Sequence, residues 1–221
     1  MELIFHLSYN TRPMSQSKFD LLLEVARRLN GPNGCPWDLK QTFESLQPYI
    51  LEEAHEVLEA LDLGDEEKII EELGDLLYTV IFYAKVAEKQ NLFTIDDILE
   101  AIRLKLIRRH PHVFGEIEAK NADEVIKRWE EIKKTEKGHS DRKSALDGIP
   151  KNLPLTLKAQ KILRKVKQAG YRDEKQHSET IGDRFLSLCA EAEEKGIDVE
   201  IAFRQSLAAL EKKFRAWEEK G

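Results

Sequence analysis

Leu51-Glu52-Glu53-Ala54-His55-Glu56-Val57-Leu58-Glu59 and Glu71-Glu72-Leu73-Gly74-Asp75-Leu76-Leu77 decide how this chain is read. Each stretch sets acids three residues apart beside apolar residues at helical spacing. Gly64 and Asp65 lie between them, a helix stop followed by a helix start, so the two are predicted to fold back as an antiparallel helical hairpin. On a wheel of about 100° per residue, Ile50, Leu51, Ala54, Val57, Leu58 and Leu61 form the apolar stripe of the first helix. Glu53 flanks that stripe and Glu56 lies about 60° further round. Ile69, Ile70, Leu73, Leu77, Val80 and Ala84 form the stripe of the second, flanked in the same way by Glu72 and then Asp75. Paired antiparallel, the helices converge four carboxylates on one spot. Beyond Asp75 the acid-bearing face continues as Thr79, Phe82, Tyr83 and Val86, so the second helix is apolar nearly all round and is predicted to be buried there.

Outward from this hairpin the remaining periodic segments also read as helix: Lys18–Asn30, a segment from 95 to 109 capped by Thr94, Asp123–Lys137, 155–169 ending at Gly170, Ser178–Lys195 and Asp198–Lys220. No segment alternates apolar and polar residues over a convincing strand length, so the fold class is all-α. The 221 residues are 41% hydrophobic and 34% charged, a globular balance with no apolar run long enough for a membrane span. The opening MELIFHLSYNTRP lacks the basic start and apolar length of a secretory signal, and 1–17 is read as an N-terminal extension. A net charge of −6 gives no basic excess for a nucleic-acid polymer. Cys35 and Cys189 form no disulfide framework, which points to a reducing cytoplasm.

Converging carboxylates repel one another and lose hydration, so they call for a cation. All-oxygen ligation suits a hard ion, Mg²⁺ with Mn²⁺ as substitute, which keeps water and binds substrate phosphates in the same coordination sphere. The plain alternative is a solvated acidic face, and for Glu52 and Glu59 taken alone it is the better one. Glu52-x-x-His55 also copies half of a di-iron carboxylate site, but the second helix offers Glu72-x-x-Asp75 and no histidine.

The pattern Glu52-Glu53-x-x-Glu56 with Glu72-x-x-Asp75 resembles the signature of the MazG family of all-α nucleoside triphosphate pyrophosphohydrolases. So do Gly34-Cys35-Pro36-Trp37-Asp38, Arg108-Arg109-His110-Pro111-His112, Arg128-Trp129-Glu130 and Ser144-Ala145-Leu146-Asp147. The resemblance covers about residues 18–165. It implies a MazG-like four-helix-type bundle, a homodimer, and hydrolysis of a nucleoside triphosphate to a monophosphate and pyrophosphate with Mg²⁺. By the same resemblance Glu53, Glu56, Glu72 and Asp75 hold the metal, and Glu52 positions or deprotonates water. Lys105 and Arg109 face the triphosphate, and Trp129 and Lys133 meet the nucleotide. The rivals are a narrower pyrophosphatase for dUTP or dCTP and a non-catalytic nucleotide-binding module.

The expected organisation is a catalytic domain over 18–137, a linker over 138–154 and a helical region over 155–221. Glu179-Thr180-Ile181-Gly182-Asp183 repeats Glu71-Glu72-Leu73-Gly74-Asp75 with threonine in place of the metal glutamate. The tail is therefore read as a degenerate partial second unit that keeps packing surfaces and lacks ligands. Ile181, Phe185, Leu188, Ile201, Phe203, Leu207 and Leu210 are expected to be buried against another helix.

Overall fold

Local chemistry sets the helix ends. Ser17 and Asp20 form a reciprocal capping box at the start of α1 (Lys18–Leu29), and Thr94 and Asp97 do the same for α4 (Ile95–Arg109). α2 (Gln47–Leu63) begins with Pro48 in its first turn, where a missing N–H costs nothing, and stops at Gly64 in the left-handed conformation (φ 68°). Asp65 then caps α3 (Glu66–Lys89) by accepting the Lys68 N–H at 3.2 Å. The structure is a computed structural model that describes residues 17–136, 142–171 and 180–219. The helices α5 (Pro111–Phe114), α6 (Ala122–Thr135), α7 (Leu155–Gln168), α8 (Ile181–Glu194) and α9 (Val199–Glu218) follow. No strand occurs among the described residues. The 1–13 segment, most of the N-terminal extension and the 178–179 start of the expected tail helix lie outside them.

The chain forms two compact units that divide between Phe114 and Gly115. In the first, α2 and α3 pack along each other as the predicted hairpin, and α1 and α4 lie against α3. Ala26, Ile81, Ala84 and Ile95 form one core with Phe19, Leu22 and Leu23 around it. Leu46, Phe82 and Val86 form a second, flanked by Phe43 and Tyr83, with Tyr78 touching both. Burying an aliphatic or aromatic side chain of this size stabilises the fold by about 1.5–3 kcal/mol. The run from Ile81 to Ala87 is buried apart from Tyr83, as expected for a helix enclosed by partners.

The first half of α3 differs from expectation. Its stripe residues Ile70, Leu73 and Leu77 are 67%, 49% and 43% exposed, and Leu51 and Leu61 of α2 are exposed as well. The hairpin meets through Val57 and Ala60, and one helix pair cannot cover the whole width of two apolar stripes.

In the second unit α7 contacts both α8 and α9. Buried Gln160 donates to the Ile197 carbonyl at 2.8 Å and accepts the Val199 N–H at 2.9 Å, so one amide satisfies the turn between α8 and α9. Arg164 grips Glu193 through two bonds of 2.6 and 2.9 Å. The expectation of a buried tail is wrong here: Ile181, Phe185, Leu188, Ile201, Phe203, Leu207 and Leu210 are all exposed. α8 turns inward on Cys189 instead, which lies on a different line of the helix. Periodicity identified an apolar face without identifying a partner that covers it.

Candidate metal centre

α2 supplies Glu53 and Glu56 one turn apart, and α3 supplies Glu72. Carboxylate oxygens of these residues lie within 4.8 Å of one another, an arrangement that can hold a metal ion. Two helices therefore bring three acids together with no histidine among them. His55 is exposed on α2 and joins no such group among the described residues, so the cluster lacks the histidine of a di-iron unit.

The electrostatics follow from this convergence. Burial first, then the charges of Asp75, Glu56, Glu72 and Glu52, hold the Glu53 carboxyl above the ordinary glutamate value. Glu72 is raised too, by desolvation and then by Glu56, Glu71 and Asp75. Lys68, one turn before Glu72, opposes that shift but does not cancel it. Glu53 and Glu72, which resist losing their protons because of burial and acidic neighbours, are groups that a cation would stabilise. Oxygen donors alone, on two firm helices, fit a divalent ion of the hard class.

Asp75 stands outside the 4.8 Å trio and is exposed, yet it is the strongest single charge acting on Glu53. Glu52 is exposed and acts on Glu53 most weakly of the four acids. Lys105 is exposed and Arg109 half-buried on α4, and neither is among the charges that shift Glu53 or Glu72. Trp129 and Lys133 lie on α6 in the second unit. There the Lys133 ammonium sits 5.2 Å from the Trp129 ring centre and 2.8 Å from Glu130. Lys68 escaped the sequence reading, although its spacing of four residues from Glu72 on one helix was a usable signal.

The Gly34–Asp38 loop is structural in its contacts. A Cβ on Gly34 would lie 2.0 Å from the Leu29 carbonyl oxygen, so only glycine fits. Trp37 packs edge-on against Tyr49 at 5.8 Å and tilted against Phe82 at 6.1 Å, which ties the loop to the start of α2 and the core face of α3.

The chain is similar to known proteins along most of its length. Residues 41–114, which contain all five acids of the two motifs, match the model of the MazG nucleotide pyrophosphohydrolase domain. The chain is 37% identical to a nucleoside triphosphate pyrophosphohydrolase of Escherichia coli over 90% of its own length and 86% of that protein. It is 33% identical to the nucleoside triphosphate pyrophosphohydrolase/pyrophosphatase MazG of Thermotoga maritima, over 91% and 86% of the two chains. A crystal structure of a MazG-related protein from T. maritima aligns with 52% of this chain and 98% of that one, at 32% identity and a TM-score of 0.47. With a matched domain that contains the acid-bearing hairpin and relatives aligned along most of their length, the chain belongs to the MazG family of nucleotide pyrophosphohydrolases.

Proposed function

We propose that this protein hydrolyses nucleoside triphosphates to nucleoside monophosphate and pyrophosphate with Mg²⁺ at the Glu53, Glu56 and Glu72 cluster, with Asp75 completing the set. The observation that carries this reading is the convergence of Glu53, Glu56 and Glu72 from α2 and α3, together with the upward shifts that burial and the neighbouring acids cause in Glu53 and Glu72. A divalent ion held there would polarise phosphoryl oxygens and make its bound water a better nucleophile. Glu52, exposed on α2, is assigned to accept the proton of the attacking water. Attack in line on a phosphorus needs cations to take up developing charge, the role assigned to Lys105 and Arg109. Trp129 and Lys133 are assigned to the base and its phosphates, since stacking on an indole tolerates any base. Mn²⁺ has the same oxygen preference and should substitute.

The catalytic domain in this reading is 18–137, with 138–154 as linker and 155–221 as the partial second unit. Among the described residues no helix is long and apolar enough to cross a membrane, and the two distant free cysteines suit the cytoplasm. A homodimer is the reading of the exposed apolar side chains Leu61, Ile70, Leu73 and Leu77 around the acid-bearing hairpin. The deciding experiment is a panel of ribo- and deoxyribonucleoside triphosphates with Mg²⁺ in which pyrophosphate and orthophosphate are both quantified. Equimolar monophosphate and pyrophosphate are expected across several bases. Turnover of dUTP or dCTP alone would select the narrower enzyme, orthophosphate as sole inorganic product would overturn the reaction, and binding without turnover would select the non-catalytic module.

A further inference from the structure

The second unit holds a cleft of about 410 Å³ between α6, the turn that follows Arg142, and the end of α7, of which the catalytic reading uses Lys133 alone. Its charged and hydroxyl lining is Glu130, Lys133, Arg142, Lys143, Ser144 and Lys165. Among the described residues four cations face one carboxylate. Lys133 already binds Glu130 at 2.8 Å, and Lys165 donates to the Ala145 carbonyl at 2.8 Å. Arg142 and Lys143 have no carboxylate partner among the described residues. Arg142 is nevertheless half-buried.

The turn is built to hold that arginine. Asp147 accepts the N–H groups of Lys143 and Ser144 at 2.8 and 2.9 Å, and Lys165 fastens the turn to α7 through Ala145. The Arg142 guanidinium lies against Gly148, where a Cβ would come within 2.4 Å of it, and Gly148 has φ +84°. The left-handed backbone is what favours glycine there, and the missing side chain leaves room for the guanidinium. The one described carboxylate of the cleft, Glu130, is already bound by Lys133, so a half-buried guanidinium sharing the lining with three lysines favours an arriving anion. Its planar fork fits phosphate oxygens two at a time, with lysines alongside as point charges. The volume falls within the roughly 300–1,000 Å³ of small-molecule sites and exceeds what one inorganic anion needs.

We propose that this cleft is a binding site for a phosphorylated small molecule of nucleotide size, anchored by Arg142 with Lys143 and Lys165. The proposal goes beyond the hydrolytic reading and does not depend on the carboxylate cluster.

The test uses the full chain in EDTA, with ADP and inorganic pyrophosphate as probes in equilibrium dialysis, so that neither metal nor turnover contributes. Saturable binding is expected, with ADP tighter than pyrophosphate. Arg142→Gln should weaken it by tenfold or more, Arg142→Lys by less, and Lys161→Ala, an exposed lysine of α7 outside the cleft, by less than twofold. Melting curves of the variants should overlay the parent, and Arg142→Lys covers the case in which Arg142→Gln misfolds. Steady-state kinetics with Mg²⁺ then separate the sources: a raised KM in Arg142→Gln means that the substrate itself reaches the cleft, and an unchanged KM means a separate ligand. Absence of saturable binding, or an equal loss in Lys161→Ala, would overturn the site.

Discussion

Asp75 and Asp183 close the same five-residue pattern, Glu-Glu-Leu-Gly-Asp in one place and Glu-Thr-Ile-Gly-Asp in the other, yet they do different work. Asp75 sits in the interior of α3, a helix that already runs from Glu66, and its charge bears on Glu53 of the neighbouring helix. Asp183 sits in the first turn of α8. There the Thr180 hydroxyl accepts its N–H at 3.1 Å and donates to its carboxylate, so the pair caps a helix. The neighbouring helices differ as sharply. α2 brings Glu53 and Glu56 to α3, whereas α7, which packs on α8, contains no Asp or Glu and several Lys and Arg. The carboxylate cluster thus depends on an acidic helix opposite the acidic motif, and with Thr180 at the second glutamate's place the related motif starts a helix.

The largest effect that tests this contrast is loss of turnover. Glu56→Gln, Glu72→Gln and Asp75→Asn should each lower pyrophosphate release by at least about 10²-fold, the scale of removing a main electrostatic stabiliser. Asp183→Asn should stay within twofold. EDTA should silence the parent, and added Mg²⁺ should restore it. Equal inactivation by Asp75→Asn and Asp183→Asn would erase the distinction between the two copies.

The exposed faces offer a second contrast. Ile70 of α3 and Leu210 of α9 are 67% and 62% exposed, but only the first lies on the acid-bearing hairpin. Ile70→Glu should weaken self-association by about tenfold or more in sedimentation equilibrium, the cost of one charge in an apolar contact. Leu210→Glu should leave it unchanged. The reverse result would move the dimer interface to the tail.

A smaller effect is the pH dependence of stability in the metal-free protein. Glu53 and Glu72 have folded values above the unfolded value of 4.5, so the folded state holds their protons more tightly. Their favourable contribution is complete below 4.5 and is lost as pH rises through the raised folded values. Melting temperature should therefore fall over that window in EDTA, fall less in the Glu53→Gln, Glu72→Gln double variant, and fall less in the parent with Mg²⁺. A parent and a double variant with the same slope in EDTA would mean that the cluster stores no repulsion.

Sequence reading fared differently in these places because the causes differ in range. Asp65, Thr94 and Gly170 were legible as helix boundaries, since a cap depends on a few neighbouring residues. The convergence of Glu53, Glu56 and Glu72 was legible because a short Gly64-Asp65 turn leaves the hairpin little freedom. That Asp75 stands outside the tightest group was not, because 60° on a wheel does not fix how far a side chain reaches across to the other helix. Burial of the tail was misread because an apolar stripe says nothing about what covers it, and Cys189 was passed over in favour of larger neighbours. The Arg142 cleft was not legible, since 138–154 read only as a linker and its cations come from residues 133 to 165 and meet only in three dimensions.

The smallest effect is the most specific to the comparison between the two motifs. Thr180→Glu rewrites the tail as Glu-Glu-Ile-Gly-Asp, a close copy of the α3 motif Glu71-Glu72-Leu73-Gly74-Asp75. If the motif alone made the site, this variant would gain a second metal centre. The structure points the other way: the new carboxylate would meet no acidic helix, because α7 presents only cations and uncharged residues. It would also remove the Thr180 hydroxyl that caps α8, at a cost of about 0.5–2 kcal/mol. The expected outcome is an unchanged kcat and Mg²⁺ stoichiometry, with a melting temperature a few degrees lower in the same buffer. An additional equivalent of bound Mg²⁺ by calorimetry would show that the second unit retains the means to build a site and that Thr180 alone had closed it.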